Sequence, residues 1–187
     1  RLDAADVTFR MNKKYSQAVI LGSTRGIRRL DPTQSVPSSL RAIDSSSTVL
    51  DWALNALSNH GVERITYVGG YQIQKVIEKY PALDCRYHGA WQREGEMAAL
   101  ATIDTPSNSN CLVCRSSTLI LPEALTRLSR AGAEVAIGCY KPEGRNKFVG
   151  IVALAGSRVG SAFAIAKELA GKSRSSDIDQ WIEALAA

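Results

Sequence analysis

Apolar residues along this chain fall alternately into short continuous runs and into stripes with the spacing of a helix. The short runs predict six strands, at residues 15–21, 64–68, 83–87, 110–114, 134–139 and 148–154. Helical spacing predicts helices at residues 49–60, 71–79, 95–103 and 158–169, and two more that begin near residues 121 and 176. Leu50, Ala53 and Leu57, for example, recur at i, i+3 and i+7. Strands and helices therefore alternate along the chain.

Polar residues mark the ends of two of these helices. Thr48 and Asp51 have the spacing of a capping box, and Gly61 ends the helix that they begin. Ser176 and Asp179 predict the start of the last helix with the same spacing. These signals predict where the two helices begin along the chain.

The alternation of strands and helices predicts the fold class. Helical connections of this length join parallel strands, so we expect a mostly parallel sheet with helices on both faces. This is a Rossmann-like three-layer α/β/α fold. We expect one domain over residues 15–187, with truncation at its C-terminus left open. Residues 1–14 are polar and irregular, which is typical of a tail or a cloning remnant.

Composition changes this picture only slightly. The chain has 187 residues, of which 45% are hydrophobic, and a net charge of +5. An excess of basic residues suits an anionic ligand, but these residues are scattered and aromatic residues are few, which argues against nucleic acid. No apolar stretch approaches the length of a membrane span, and no signal peptide is visible, so we expect a cytoplasmic protein without a membrane partner.

The four cysteines do not predict a metal site. Cys111 and Cys114 form a single CxxC inside an apolar run, and a zinc site needs a second pair of ligands. Cys85 and Cys139 stand alone in other predicted strands. We interpret all four as reduced strand residues.

The candidate chemistry lies in the loop after the first strand, which reads G-S-T-R-G-I-R-R at residues 22–29. Small residues let the backbone approach an anion, and the N–H groups of a tight turn form a concave donor site. Arg25, Arg28 and Arg29 add positive charge. The loop predicts a phosphate-binding turn, and the alternative is a solvated turn with surface arginines.

Three segments in this order resemble the sugar-phosphate and phosphocholine-type nucleotidyltransferases. The family's loop signature L-A-A-G-x-G-x-R stands here as L-G-S-T-R-G-I-R at residues 21–28. Its V-x-G-Y motif corresponds to V-G-G-Y at residues 68–71, and its N-P-x-W motif resembles H-G-A-W at residues 88–91. The resemblance spans residues 18–154 and implies a GT-A-like nucleotidyltransferase fold.

The resemblance also implies a reaction and the residues that perform it. A phosphate or phosphonate acceptor would attack the α-phosphorus of a nucleoside triphosphate, CTP being favoured, and Mg²⁺ would assist in an active enzyme. Arg28 matches the signature arginine and would be the catalytic residue, while Lys147 and Gly150 would contact the acceptor. The implied nucleotide-binding residues are Leu21, Gly22, Ser23, Thr24, Arg25, Gly26, Gly70, Gln92, Gly95 and Ala98.

Several positions depart from the family pattern. The family's phosphate-binding lysine is replaced by Ser38, and its metal-binding aspartate after the fourth strand appears as Ser117. Thr24 replaces a glycine of the loop. Arg41 is an alternative phosphate contact, and Arg115 is a candidate for a positive charge at the metal position. Each of these two arginines is otherwise an ordinary surface residue.

Two hypotheses follow, and a third is weaker. The first is an active nucleotidyltransferase, and the second is a degenerate domain that binds or regulates, with a fused or separate partner. The third, a nicotinamide-dependent reductase, rests on the G-x-x-x-G-I spacing of residues 22–27, and the long polar stretch that follows argues against it.

Two acids and the tryptophans have open roles. Glu94 and Glu96 lie close to the predicted site, where they would bind an acceptor amine or belong to a solvated loop and helix start. We interpret the tryptophans as packing residues, with Trp91 the best candidate for a ligand contact.

Overall fold

A computed structural model describes residues 14–22, 36–106, 109–140 and 147–187 of the chain. The strands are β1 (Gln17–Leu21), β2 (Arg64–Gly69), β3 (Asp84–Tyr87), β4 (Cys111–Arg115), β5 (Val135–Tyr140) and β6 (Lys147–Leu154). The helices are α1 (Val49–Asn59), α2 (Ile73–Lys79), α3 (Glu96–Ala101), α4 (Pro122–Arg130), α5 (Gly156–Lys172) and α6 (Ile178–Ala186), with a 3-10 turn at Ser38–Leu40. The predicted order of strands and helices is confirmed.

The six strands form one sheet in the order β3-β2-β1-β4-β6-β5. Strands β3, β2, β1 and β4 are parallel neighbours, while β6 runs antiparallel to both β4 and β5. The prediction of a mostly parallel α/β sheet is therefore confirmed. The reversed β6 follows β5 as a hairpin, and it is the one strand among those described that runs against the others.

The helices cover the sheet on both faces and bury two apolar clusters. One cluster joins the sheet to α1, α2 and α4 and includes Ile20, Leu57 and Leu125. The other joins it to α3, α5 and α6 and includes Phe163 and Trp181. Because side chains alternate along a strand, β1 sends Ile20 to the first cluster and its neighbours Val19 and Leu21 to the second. The sheet is thus the middle of three layers.

The helix caps confirm one prediction and correct another. Thr48 caps α1, its hydroxyl accepting from the Asp51 amide, while the Asp51 carboxylate accepts from the Thr48 amide. The prediction that Ser176 begins the last helix is wrong by one residue, because Asp177 caps α6 in a reciprocal box with Gln180. The Ser176 hydroxyl is buried and donates instead to carbonyl groups at the end of α5 and in the loop that follows.

The cysteines and tryptophans have mostly the predicted roles. All four cysteines are free and lie on strands, and burial raises the pKa of Cys111 to about 12, so this thiol stays protonated. Trp181 is fully buried, with its indole N–H donating to Ala162 O. Trp52 is 41% exposed and only partly packs, its N–H donating to Ile120 O. Among the described residues no helix is both long and apolar enough to cross a membrane.

Candidate functional site

Among the described residues, Leu21, Gly22 and Gly70 lie where parallel strands end, at one edge of the sheet. Leu21, at the end of β1, is paired with Val68 on one side and Arg115 on the other. The Gly22 amide donates to Val68 O at 2.6 Å, and the Ser116 amide donates to Leu21 O at 3.0 Å. In parallel α/β sheets this edge is where ligands bind.

Glycines at this edge are explained in part by two aromatic rings. A Cβ on Gly22 or on Gly69 would collide with the ring of Tyr67, which is buried beneath both turns and hydrogen-bonded through its hydroxyl to Ser39. A Cβ on Gly70 would collide with Trp91. Packing alone therefore requires small residues here, independently of any bound phosphate.

Trp91 lies across the turn that follows β2. Its ring is 5.4 Å from that of Tyr71, centroid to centroid, and its amide donates to His88 O. Gln72, next along this turn, has a positive φ of 47°, which an L residue rarely adopts. The Trp91 side chain thus holds the β2 turn against the segment after β3.

His88 is buried at the end of β3, and sequence reasoning gave it no role of its own. Its amide donates to Gly69 O at 2.8 Å, and its Nε2 lies 3.5 Å from a carboxylate oxygen of Glu94. Burial lowers the pKa of His88, and the nearby Glu94 charge only partly opposes this shift. The imidazole is therefore neutral at pH 7.

The start of α3 is covered by the segment that leads into α6. The Gly95 amide donates to Arg174 O at 2.6 Å, and the Met97 amide donates to Ser176 O at 3.2 Å. A Cβ on Gly95 would lie 2.8 Å from the backbone of Ser175. Gly95, predicted to bind nucleotide, already has its amide hydrogen-bonded and its Cα face packed.

The other predicted residues around the base lie close to α3. Gln92 is exposed in the turn before this helix, and Ala98 is buried within it. Gln92 is therefore accessible to a ligand, while Ala98 has little surface to offer.

Glu96, the first residue of α3, forms an ion pair with Arg115 at the end of β4. Arg115 donates through Nε and Nη2 to the two oxygens of Glu96, at 2.7 and 2.8 Å. Glu96 is 4% exposed, so the expectation of a solvated helix start is wrong for this residue. The carboxylate also accepts the amide of Ile178 at 3.1 Å, which ties α6 to α3.

Arg115 makes two further contacts with charged or aromatic groups. Its Nη2 donates to Asp179 at 3.2 Å, and its guanidinium carbon is 5.3 Å from the centre of the Phe148 ring. Burial works against the Arg115 charge, but the hydrogen bonds and charges of Glu96 and Asp179 outweigh it and raise the pKa of Arg115. Arg115 is thus neither a free cation nor an ordinary surface residue.

The predicted acceptor region lies on β6, next to Arg115 at the end of β4. Gly150 has a φ of +85°, and a Cβ there would collide with the Thr118 hydroxyl and lie 3.3 Å from Arg115 Cβ. Thr118 donates to Val149 O at 3.0 Å, which holds the β4 turn against β6. Lys147 begins β6 at the same edge of the sheet.

The remaining predicted residues lie outside the described part of the chain. They are Ser23, Thr24, Arg25, Gly26 and the predicted catalytic Arg28. Their roles stay predictions.

The described residues do not fit Mg²⁺ at the end of β4. Ser117 is exposed in the turn after this strand, and a hydroxyl is a weak ligand for a hard dication. Within the described ranges no three acidic, histidine or cysteine residues stand close enough to hold a metal ion. The nearby Glu96 carboxylate is already bonded to Arg115 and to the Ile178 amide.

A cavity of about 480 Å³ lies at the opposite edge of the sheet. Its lining includes Gln17 and Arg64, at the amino ends of β1 and β2, and the end of α3. Both signs of charge line it, and Asp84 and Arg86 in its wall pair with each other at 3.1 Å. This cavity is separate from the carboxyl edge. Because acidic and basic residues line it together, its charge does not favour an anionic or a cationic ligand.

Solved structures with this fold include several nucleotidyltransferases. The inositol-1-phosphate CTP transferase from T. maritima has a TM-score of 0.67 at 11% identity, over 94% of this chain and 83% of its own. The CTP:phosphocholine cytidylyltransferase from Streptococcus pneumoniae has a TM-score of 0.61 at 12% identity, over 90% and 84%. A UDP-glucose pyrophosphorylase has a TM-score of 0.65 at 15% identity, over 92% and 87%.

No protein-family model matches the sequence, and no curated protein matches it. At identities of 11% to 15%, the structural likeness establishes the nucleotidyltransferase-like α/β fold.

Proposed function

We propose that this chain is a nucleotidyltransferase that moves a nucleoside monophosphate to a small phosphorylated or phosphonate acceptor. The observation that carries the proposal is the superposition of at least 90% of the chain on three nucleotidyltransferases. Two of the three are named for CTP, and their acceptors are inositol 1-phosphate and phosphocholine. CTP is therefore the favoured donor.

The proposed reaction assigns roles to residues at the carboxyl edge. An acceptor oxygen forms a bond to the α-phosphorus while the bond to the bridging oxygen breaks and pyrophosphate leaves. Charge develops on the phosphate oxygens, and donors that are fixed in advance stabilise it. The backbone of residues 22–26 and the Arg28 side chain supply these donors, with Leu21, Gly70 and Gln92 beside the base.

The acceptor is proposed to lie next to β6. Lys147 starts this strand, and Gly150 lies further along it, packed beside Thr118 and Arg115. Mg²⁺ belongs to the resemblance, but the described residues do not fit it, and no role for it is derived.

A second candidate is a domain that binds nucleotide without transferring it. The absence of an acid cluster among the described residues favours it, as does Ser117 at the family's aspartate position. Such a domain would act as a regulatory or assembly module for a fused or separate enzyme.

A thermal-shift panel tests the shared premise of both candidates. The panel contains CTP, UTP, ATP and GTP, each with Mg²⁺ and with chelator. A ligand that binds the native state stabilises it, by about 2.7 kcal/mol when the ligand concentration is one hundred times its Kd. This stabilisation raises the melting temperature. We expect CTP to give the largest shift. Equal, negligible shifts with all four nucleotides would contradict both candidates.

Pyrophosphate release with phosphocholine or inositol 1-phosphate separates the candidates. Transfer requires release that depends on both CTP and acceptor, whereas a binding domain gives a CTP shift without release. Arg28→Ala is expected to lower release by at least tenfold. Arg127→Ala, an exposed arginine in the last turn of α4, removes the same charge far from the carboxyl edge and is expected to have no effect.

A further inference from the structure

Arg115 has two acidic partners of very different strength. Glu96 is almost fully buried, accepts two hydrogen bonds from Arg115 and is held from the other side by the Ile178 amide. Asp179 accepts one longer bond, and its side chain is 55% exposed. Exposed ion pairs contribute little, because water and salt screen them. The Glu96 contact is therefore the stronger of the two, and the Asp179 contact is the weaker, exchangeable one.

The geometry of the guanidinium leaves one of its edges for another ligand. Glu96 occupies the edge formed by Nε and Nη2. The end edge, formed by Nη1 and the second N–H of Nη2, also matches two oxygens of a phosphate or carboxylate. Within the described residues, this end edge has a single acceptor, the Asp179 carboxylate on Nη2.

The position of Arg115 places the end edge of its guanidinium between the predicted phosphate-binding loop and the proposed acceptor region. Its backbone pairs with Leu21, which leads into the predicted phosphate-binding loop. Its side chain lies over the Phe148 ring and beside Gly150, in the proposed acceptor region. The two hydrogen bonds to Glu96 and the contact with the Phe148 ring restrain the guanidinium, so little conformational freedom is lost on binding.

We infer that Arg115 binds a phosphate group through its end edge, and that Asp179 occupies this edge until the phosphate displaces it. The exchange replaces one carboxylate oxygen by two phosphate oxygens and involves no covalent step. That the phosphate belongs to the acceptor, rather than to the nucleotide, rests on the proposed function. The exchange itself does not.

The chain offers matched variants to test the exchange. Asp179→Asn removes the competing charge, and Glu183→Gln removes the same charge from an exposed position one turn further along the same helix, where the described residues show no ion pair with Arg115. Inorganic phosphate, phosphocholine and CTP are titrated into each protein, with affinity measured by calorimetry. Side-chain NMR of ¹⁵N-arginine-labelled protein reports the Arg115 N–H groups directly.

We expect Asp179→Asn to bind phosphate and phosphocholine about two- to fivefold more tightly, the range that an exposed ion pair contributes. Glu183→Gln is expected to stay within a factor of 1.5. Arg115→Lys keeps the charge but loses the planar edge, and it should abolish the gain from Asp179→Asn in the double variant. Equal effects of the two acid variants, or unchanged Arg115 resonances on addition of phosphate, would overturn the inference.

The three ligands distinguish the source of the phosphate and the two proposals. A gain for phosphocholine without a gain for CTP assigns the edge to the acceptor, and a gain for CTP alone overturns that assignment. If phosphate exchange occurs but no nucleotide binds, the inference stands and the proposed function fails. If CTP binds and reacts while Asp179→Asn has no effect on any ligand, the proposed function stands and the inference fails.

Discussion

Two of the described acid–base pairs, Asp51–Lys79 and Glu96–Arg115, each hold a helix to a neighbouring element, and they differ in burial and in the hydrogen-bond donors that they leave unused. Asp51 and Lys79 join the start of α1 to the end of α2 at 2.8 Å, with side chains 25% and 40% exposed. Glu96 and Arg115 join α3 to β4 at 2.7 Å, with side chains 6% and 25% exposed. Each acid also caps or holds a helix start through a backbone amide.

The difference indicates which pair is structural and which is the better candidate for ligand binding. Asp51 bonds to Thr48 and to Lys79, so capping of α1 and the ion pair with α2 account for its contacts. Arg115 lies at the carboxyl edge and keeps one edge of its guanidinium in a weak, exchangeable contact. A buried pair with spare donors at a strand end is therefore the better candidate for ligand binding.

Breaking the buried pair is expected to have the largest effect on stability. Glu96→Ala leaves Arg115 without its main partner and the Ile178 amide without an acceptor, at a cost of about 3 kcal/mol. Urea denaturation measures the loss. Glu96→Gln keeps the shape and one acceptor and should cost less. A loss below about 1 kcal/mol for Glu96→Ala would show that the two pairs are energetically alike.

The packing of α3 against the segment before α6 supports the same pair. Gly95→Ala forces a methyl group against the backbone of Ser175 and Ser176, which cannot move without shifting α6. We expect a loss of about 1–3 kcal/mol in thermal or urea unfolding. Gly160→Ala in α5 is the control, because an added Cβ there would meet no atom within 4 Å outside the nearby backbone of its own helix. This variant should gain about 0.5–1 kcal/mol in the free energy of unfolding. The test fails if both variants are equally stable.

The Asp51–Lys79 pair should contribute less to the free energy of unfolding, and its contribution should be lost at acid pH. Partial burial opposes ionisation of Asp51, but hydrogen bonds from Lys79 and Thr48 outweigh it and hold its pKa well below the usual range. Its contribution is present above the unfolded pKa of about 3.9 and is lost as the pH falls below it. Asp51→Asn is expected to cost about 1 kcal/mol at pH 7, as other cap losses do.

Measuring the free energy of unfolding as a function of pH tests the contribution of the Asp51 charge. The difference between the native chain and Asp51→Asn should shrink steadily below about pH 4, because the native carboxyl also becomes neutral. A difference that is constant from pH 7 to pH 2 would mean that the Asp51 charge contributes nothing.

The smallest effect is expected for the exchangeable contact. Asp179→Asn removes an exposed partner of Arg115 without burying anything and should lower the free energy of unfolding by less than about 1 kcal/mol. Differential scanning calorimetry of the variant beside the native chain measures it. A loss as large as that of Glu96→Ala would make Asp179 a structural partner and remove it from the proposed exchange.

Most of the fold could be predicted from local pattern, and the exceptions have physical reasons. The start of the last helix was misplaced because Ser176 and Asp177 are both good caps, and burial of the Ser176 hydroxyl against α5 decided between them. The reversed direction of β6 has no local signal, since a hairpin and a crossover begin from the same apolar run.

The site was predictable as an edge of the sheet but not as a set of contacts. Leu21, Gly22 and Gly70 stand at strand ends, as the pattern of runs and glycines indicates. The role of Gly95 could not be foreseen, because the segment that covers it lies about 80 residues away in sequence. The pairing of Glu96 with Arg115 spans 19 residues and depends on the order of strands.

Local sequence pattern is sufficient to predict which residues form strands and helices, since the spacing of apolar side chains and the capping residues act over a few positions. It also determined which residues stand at the carboxyl edge, because that edge is the end of every forward strand. Three features required the folded structure: β6 is antiparallel, Asp179 reaches Arg115, and Glu96 is buried. These depend on contacts between distant segments, whose free energy no local pattern records.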